Sequence, residues 1–136
     1  MKRNTDLLNP RIVEMAKEVE ADFKLNQMNL TEQSMCCSSL KTKWIMIYHE
    51  ETKMAKKLDE AEKKAREDYV TKFGQPNVPK FKTEKEAETQ ELIIKIKKAK
   101  DDQTELVRFL DDILRNIVGG FGFDIKNSLD AVKLEN

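Results

Sequence analysis

Hydrophobic residues recur along two stretches of this chain at alternating spacings of four and three residues. The earlier stretch comprises Leu40, Trp44, Ile47, Glu51, Met54, Leu58, Ala61 and Ala65. The later stretch comprises Leu92, Ile96, Ala99, Gln103, Leu106, Leu110, Ile113 and Ile117. A seven-residue repeat keeps one seam of an α-helix apolar and requires a partner helix along its length. Residues 74–79 contain two prolines and cannot continue a helix, so we predict a long antiparallel helical hairpin.

Capping and breaking residues set the predicted limits of the first two helices. Asn9 is suited to the N-cap and Pro10 to the first turn, which predicts a helix over about 10–26. Thr31 is suited to cap a second helix over 31–73, and Gly74 then ends it. A helix of that length is typical of a coiled coil.

The second half of the chain is predicted in the same way. Thr83 begins a capping box that starts a third helix over 84–118, which a pair of glycines ends. Asp124 is suited to cap a short helix within the C-terminal segment 119–136. The whole chain, 1–136, is therefore predicted to form a single all-α domain.

Helices this thin have little interior, since charged residues make up 37% of the chain and hydrophobic residues only 39%. Much of the apolar surface must therefore be buried between copies of the chain, and we predict a homo-oligomer. The residues predicted to form its contacts are Leu110, Ile113, Leu114, Ile117, Phe121, Phe123 and Ile125. The alternative is that these side chains pack within one subunit.

Charge is unevenly distributed, although the net charge is zero. Residues 53–100 hold 14 Lys and Arg against 9 Asp and Glu, and the predicted hairpin places Lys57 opposite Lys100. Such a surface binds nucleic acid without sequence preference, because each phosphate contact releases a condensed counterion. The candidate DNA-binding residues are Lys57, Lys63, Lys64, Arg66, Lys95, Lys97 and Lys98. The alternative is a solvated face on which lysines pair with carboxylates of their own helix.

Aromatic residues near the predicted hairpin tip add a second binding feature. Tyr69, Phe73 and Phe81 are suited to stack on unpaired bases. Tyr69 and Phe73 are equally suited to close the tip by packing on each other.

Catalytic and metal-binding signatures are missing from the sequence. It has no glycine-rich phosphate loop and no nucleophile motif, so we predict neither an enzyme nor a cofactor. Cys36 and Cys37 are adjacent with no further cysteine, and His49 is the only histidine, so a metal site is not expected. The thiols suggest a reducing compartment, and the lack of a signal peptide or long apolar run predicts a soluble cytoplasmic protein without membrane contact.

Three short motifs stand out: Lys43-Trp44, Lys64-Ala65-Arg66 followed by Asp68-Tyr69, and Gly122-Phe123-Asp124-Ile125-Lys126. Together they resemble motifs of a known family, the UvsY-type recombination mediators of T-even-like bacteriophages. The resemblance implies a non-enzymatic protein of the infected bacterial host cell that binds single-stranded DNA coated by single-strand-binding protein. It also implies that the protein helps load a RecA-like recombinase and works as a ring-like homo-oligomer.

The resemblance further assigns roles to particular residues. Lys64 and Arg66 would contribute to DNA binding, and residues 106–134 would support assembly. Two other classes of protein remain open at this point: a coiled-coil scaffold or adaptor without DNA binding, and a small phage structural protein.

Overall fold

The computed structural model describes residues 9–24 and 30–135, and within them it contains helices and no strand. The helices are α1 (Pro10–Asp22), α2 (Leu30–Phe73), α3 (Lys80–Ala87), α4 (Glu91–Ile113) and α5 (Phe121–Glu135), with a π-helix at Leu114–Val118. The predicted all-α fold with long helices is confirmed. In this part of the chain, no helix is both long enough and apolar enough to cross a lipid bilayer.

The start of α1 agrees with its capping signal, but its end does not. The Asn9 side chain accepts a hydrogen bond from the Arg11 N–H at 3.0 Å, and Pro10 occupies the first turn. The helix ends at Asp22 instead of extending to about 26; residues 25 and 26 lie outside the described part. It ends because Phe23 turns inward, where its ring meets that of Phe121 edge-on at 4.7 Å.

The length of α2 agrees closely with the prediction. The helix already begins at Leu30, so Thr31 lies inside it and does not cap it. It ends at Phe73 as predicted, and the Gly74 N–H donates to the Val70 carbonyl at 2.8 Å. A Cβ at position 74 would lie 2.4 Å from that carbonyl oxygen, so a larger residue does not fit without a shift of the backbone.

The predicted single helix over 84–118 is wrong in two places. α3 begins at Lys80, directly after Pro79 at its N-cap, and Thr83 is a buried residue inside α3, not a cap. The chain then leaves helical geometry at 88–90, where the N–H of Gln90 bonds to the Ala87 carbonyl at 3.0 Å. The hydrogen bond of this short turn is accepted by Ala87, whose side chain is fully buried.

A π-helical turn ends α4 and changes which residues face inward. A π-helix places one extra residue in its turn, so the residues after it rotate relative to the seven-residue pattern. Val118 is therefore buried, whereas Ile117, the predicted seam residue, is 37% exposed. α5 then begins at Phe121, so Asp124 lies in its first turn and does not cap it.

The chain forms two compact units, and the first consists of residues up to Glu50 and from Leu106 onward. Its core is built from α1, α2, α4 and the π-helix. The core residues are Ile12, Val19, Trp44, Leu106, Leu110 and Val118. Burial of these side chains removes apolar surface from water and is the main stabilising contribution in this unit.

Lys43 and Trp44, one of the motifs noted in the sequence, join α2 to α1. The Asp22 carboxylate accepts hydrogen bonds from Trp44 Nε1 at 2.9 Å and from Lys43 Nζ at 2.7 Å. Lys43 also pairs with Glu18 at 2.7 Å. Burial lowers the pKa of Lys43, but the bonds to Asp22 and Glu18 outweigh this effect and raise it. These contacts hold α1 against α2 within the first unit.

The second unit, Glu51–Glu105, contains the antiparallel pairing of α2 with α4, together with α3. Gln103 Nε2 donates to the Glu51 backbone carbonyl at 2.8 Å and also to the Glu51 carboxylate. Glu51 and Gln103 are the two polar residues in the predicted apolar seams. They meet and satisfy each other's hydrogen bonds, so neither is left buried without a partner.

Candidate nucleic-acid interface

The buried face of the hairpin is displaced by one residue from the predicted seam at several positions in the second unit. The predicted seam residues that are exposed are Met54, Ala61, Leu92 and Ala99. The residues that follow each of them are buried or half-buried: Ala55, Glu62, Ile93 and Lys100. An α-helix repeats every 3.6 residues, so a face drifts along a seven-residue pattern. The drift brings two charged side chains, Glu62 and Lys100, between the helices.

Glu62 is the centre of an ion-pair network across the hairpin. Its Oε1 accepts from Arg66 Nη2 at 3.0 Å and its Oε2 accepts from Lys100 Nζ at 3.0 Å. Arg66 also pairs with Glu88 at 3.2 Å, and Lys100 pairs with Asp59 at 2.7 Å. The network therefore links α2 to α4 and to the turn that precedes α4.

The pKa values within this network show that its members are held in their charged forms. The hydrogen bond from Lys100 lowers the pKa of Glu62, and burial, which opposes it, is outweighed. The bond to Asp59 raises the pKa of Lys100, and the bond to Glu88 raises the pKa of Arg66. Each cation is thus neutralised by two carboxylates, which leaves little of its charge for an external anion.

The remaining candidate cations are exposed, and they differ in their partners. Lys63 pairs with Asp59 at 3.3 Å along its own helix, and Lys95 pairs in the same way with Glu91 at 3.2 Å. Both lysine side chains are more than 70% exposed, so these pairs contribute little and exchange easily with solvent. Four of the candidate lysines are exposed and have no ion-pair partner among the described residues: Lys57, Lys64, Lys97 and Lys98.

Lys64 and Arg66, the two charged residues of the Lys-Ala-Arg motif, lie on different grooves of the hairpin. Arg66 lines a groove between α2 and α3 with Val70, Thr71 and Glu84. Lys64 lines a second groove, of about 370 Å³, between α2 and the start of α4. These two cations, predicted to share one continuous basic surface, therefore face different grooves.

The groove beside Lys64, here called the Tyr69 groove, is apolar with charged edges. Its lining residues are Ala61, Lys64, Ala65, Asp68, Tyr69, Lys72, Gln90, Leu92 and Ile93. Tyr69 packs on Phe73 with ring centroids 4.7 Å apart, so the two rings close the tip of the hairpin, as one of the two interpretations predicted. Tyr69 remains half-buried and faces the groove at the same time.

The residues predicted to form oligomer contacts have different degrees of burial within one subunit. Leu110, Phe121 and Ile125 are buried in their own chain, and Ile113 and Leu114 are partly buried at the edge of the core. Ile117 is 37% exposed and lines an apolar groove with Phe109 and Ile113. The side chain of Phe123 lies outside the described part of the structure. Packing within the subunit thus accounts for the three buried residues.

The sequence patterns did not predict the ion-pair partner of Arg66 in another element or the side chains that complete the Tyr69 groove. Glu88 reaches Arg66 from the turn between α3 and α4, and Leu92 joins the Tyr69 groove from α4, across the hairpin. One signal was present: Glu62 and Arg66 stand four residues apart, the spacing at which side chains meet on a helix.

Among the described residues, His, Cys, Asp and Glu form no group of three or more that could bind a metal ion. Cys36 is exposed and Cys37 is half-buried, and both thiols are free. A Cβ on Gly122 would lie about 4.0 Å from Cys37 Sγ, in ordinary contact.

Comparisons with known proteins identify the family. A family model described as the recombination, repair and single-stranded-DNA-binding protein UvsY matches residues 18–136. The crystal structure of the bacteriophage T4 recombination mediator protein UvsY superposes with a TM-score of 0.77 at 15% sequence identity. The match covers 92% of this chain and 98% of that chain, so the two share a fold. No curated protein sequence matches significantly.

Proposed function

This chain belongs to the UvsY family of recombination proteins, and we propose that it binds single-stranded DNA through exposed lysines of the unit Glu51–Glu105. We also propose that it helps load a RecA-like recombinase onto strands coated by single-strand-binding protein, in the cytoplasm of an infected bacterium. Family membership supports a role in recombination in general; the binding surface is argued from the geometry below.

The observation that carries the proposal is the contrast between two groups of cations in one unit. Arg66 and Lys100 are each neutralised by two carboxylates, whereas the lysines at 57, 64, 97 and 98 have no ion-pair partner among the described residues. Positive charge that no carboxylate compensates attracts a polyanion. Its contact with phosphates gains entropy because condensed counterions leave the strand.

Lys57 and Lys64 are the best placed pair for this purpose. They stand seven residues apart, which is nearly two helical turns and puts them on the same face of α2, about 10 Å apart along the axis. That distance spans roughly three nucleotides at the 3.4 Å rise of a stacked strand. A strand running along α2 can therefore meet both ammonium groups.

Arg66 has a different role in this proposal. Its guanidinium group bonds to Glu62 and Glu88, and its side chain is only 26% exposed. It therefore positions the hairpin that presents Lys64, and a substitution at Arg66 would change the structure as well as the charge. For this reason a test of DNA binding at Lys57 and Lys64 is cleaner than one at Arg66.

The test is the salt dependence of binding to a fluorescent oligothymidylate, measured by anisotropy. Each phosphate contact on a single strand contributes about −0.7 to the slope of log K against log salt concentration. Lys57→Gln and Lys64→Gln should each reduce the slope by about 0.7, with helicity unchanged by circular dichroism. Lys17→Gln, at an exposed position on α1, removes the same charge and should leave the slope unchanged.

Two results would count against the proposal in different ways. Unchanged slopes in both variants would remove these lysines from the interface. Failure of the unsubstituted protein to bind the oligonucleotide at low salt would instead favour a scaffold that binds only proteins.

Assembly is the remaining part of the proposal. We infer that copies of the chain associate, in a ring-like homo-oligomer, through the apolar groove that contains Phe109, Ile113 and Ile117. These three residues support the proposal because they are apolar and partly accessible in one subunit, unlike the buried Leu110 and Phe121. Glu20 and Lys24 also line the groove.

A further inference from the structure

We propose that the Tyr69 groove is a binding site for unstacked nucleobases, with lysines at its edges that hold the adjoining phosphates. The inference rests on the proposed binding of single-stranded DNA and adds to it a site for the bases. The proposal concerns one face of the hairpin, lined by residues of α2, of α4 and of the turn before α4.

The apolar part of the lining is suited to the flat, apolar face of a base. It includes Ala61, Ala65, Ile93 and the exposed side chain of Leu92. Leu92 is 65% exposed although it stands beside the buried Ile93. Small alanines on one helix and a large exposed leucine on the other leave an open slot, and covering it with a base removes apolar surface from water.

The charges around the slot determine which part of a nucleotide enters it. Lys64 and Lys72 stand eight residues apart on α2, about 12 Å along the axis, and can contact phosphates at the edge. Asp68 lies between them on the same face of α2 and also lines the groove. Its carboxylate repels a phosphate at that point but accepts hydrogen bonds from N–H groups of base edges, including the imino group of thymine. The charge pattern therefore favours a strand whose phosphates contact the two lysines while a base faces Asp68.

Aromatic residues distinguish this groove from the rest of the unit. Tyr69 lines the slot and packs on the ring of Phe73. Phe73 is 53% exposed, but Lys72 Nζ lies 5.3 Å from its ring centroid. Phe81 is also exposed, but Lys85 Nζ lies 4.6 Å from its ring centroid, over the face that a base would need. Stacking is therefore expected at Tyr69 and not at Phe81.

The experiment compares two oligonucleotides of equal length and charge, one of thymidylate and one with abasic sugars throughout. Stacking on an aromatic side chain corresponds to roughly 5- to 150-fold in affinity per base, so the protein should prefer the thymidylate strand by at least that lower factor. Tyr69→Leu should lose most of this preference without a change in the salt slope, and Tyr69→Phe should keep it.

Two further variants test the base site even if a substitution at Tyr69 disturbs the fold. Leu92→Asn changes an exposed side chain and should also weaken binding to the thymidylate strand, while binding to the abasic strand stays the same. Phe81→Leu is the matched control, because it removes an exposed aromatic ring outside the groove, and both affinities should stay unchanged.

Each other outcome has a definite meaning. Equal affinity of the unsubstituted protein for both strands would overturn the base site and leave the lysine interface intact. Unchanged preference in both Tyr69→Leu and Leu92→Asn would overturn it as well. No binding to either strand at low salt would overturn the base site together with the proposed function.

Discussion

The ion-pair network around Glu62 predicts a specific effect of one substitution, Glu62→Gln. The change keeps the size and shape of the side chain but removes its negative charge. In the native protein this carboxylate accepts bonds from Arg66 at 3.0 and 3.2 Å and from Lys100 at 3.0 Å, and it is only 10% exposed. The variant therefore weakens the link between α2 and α4 at its most buried charge.

The expected magnitude follows from what each partner retains. Removing one member of a fully buried pair costs about 3–5 kcal/mol, because the other charge is left uncompensated. Here Arg66 still has Glu88 and Lys100 still has Asp59, and both cations are partly exposed to water. We therefore expect the free energy of unfolding to fall by about 2 kcal/mol, the scale of one or two hydrogen bonds to charged groups.

The effect should also depend on pH, with a sign fixed by the pKa of Glu62. The bond from Lys100, followed by the bond from Arg66, lowers this pKa in the folded protein below its ordinary value of 4.5. A carboxyl with a lowered folded pKa stabilises the protein fully above the unfolded value. That stabilisation is lost as pH falls through the folded pKa. The difference between the native protein and the variant should therefore shrink in acid.

The assay is urea unfolding followed by circular dichroism, at fixed protein concentration because assembly shifts the apparent stability. Measurements near pH 7 and near pH 3 test both parts of the prediction. Glu60→Gln is the control, since Glu60 is exposed two residues away on the same helix. The reasoning is refuted if Glu62→Gln unfolds at the same urea concentration as the native protein, or if its deficit is equally large in acid.

Two further predictions concern the first unit. Ile117→Asp places a charge on the exposed part of the apolar groove and should lower the mass in solution measured by light scattering; an unchanged mass with intact helicity would exclude this groove from assembly. Trp44→Phe removes the Nε1 bond to Asp22 and leaves space in the core, so it should lower the free energy of unfolding by about 2 kcal/mol; an unaltered urea midpoint would contradict the role of that bond.

The fold could be predicted from the sequence wherever the pattern and a strong breaker agreed. Gly74 determined the end of α2 at Phe73, and the polar seam residues Glu51 and Gln103 fitted a pairing in which they meet. The interruption at 88–90 and the π-helix at Leu114–Val118 could not be predicted, because no proline or glycine lies inside them. They follow from packing: each buries a particular residue, Ala87 and Val118.

The candidate site was less predictable than the fold, for a physical reason. Hydrophobic spacing predicts which face of a helix is buried. The ion-pair partner of a given lysine, however, changes if the helix turns about its axis by the angle of a single residue. The predicted hairpin placed Lys57 opposite Lys100, whereas the structure pairs Lys100 with Asp59 and Glu62, only two and five residues further along α2. That small difference neutralises Lys100 and leaves Lys57 exposed.

The central claim is that exposed lysines of the second unit bind the phosphates of a single strand. The most direct measurement is the affinity of the unsubstituted protein for a fluorescent oligothymidylate over a range of salt concentrations. Four phosphate contacts, from Lys57, Lys64, Lys97 and Lys98, predict a linear plot of log K against log salt with a slope of about −3. Binding with a slope near zero, or no binding at the lowest salt concentration, would contradict the claim.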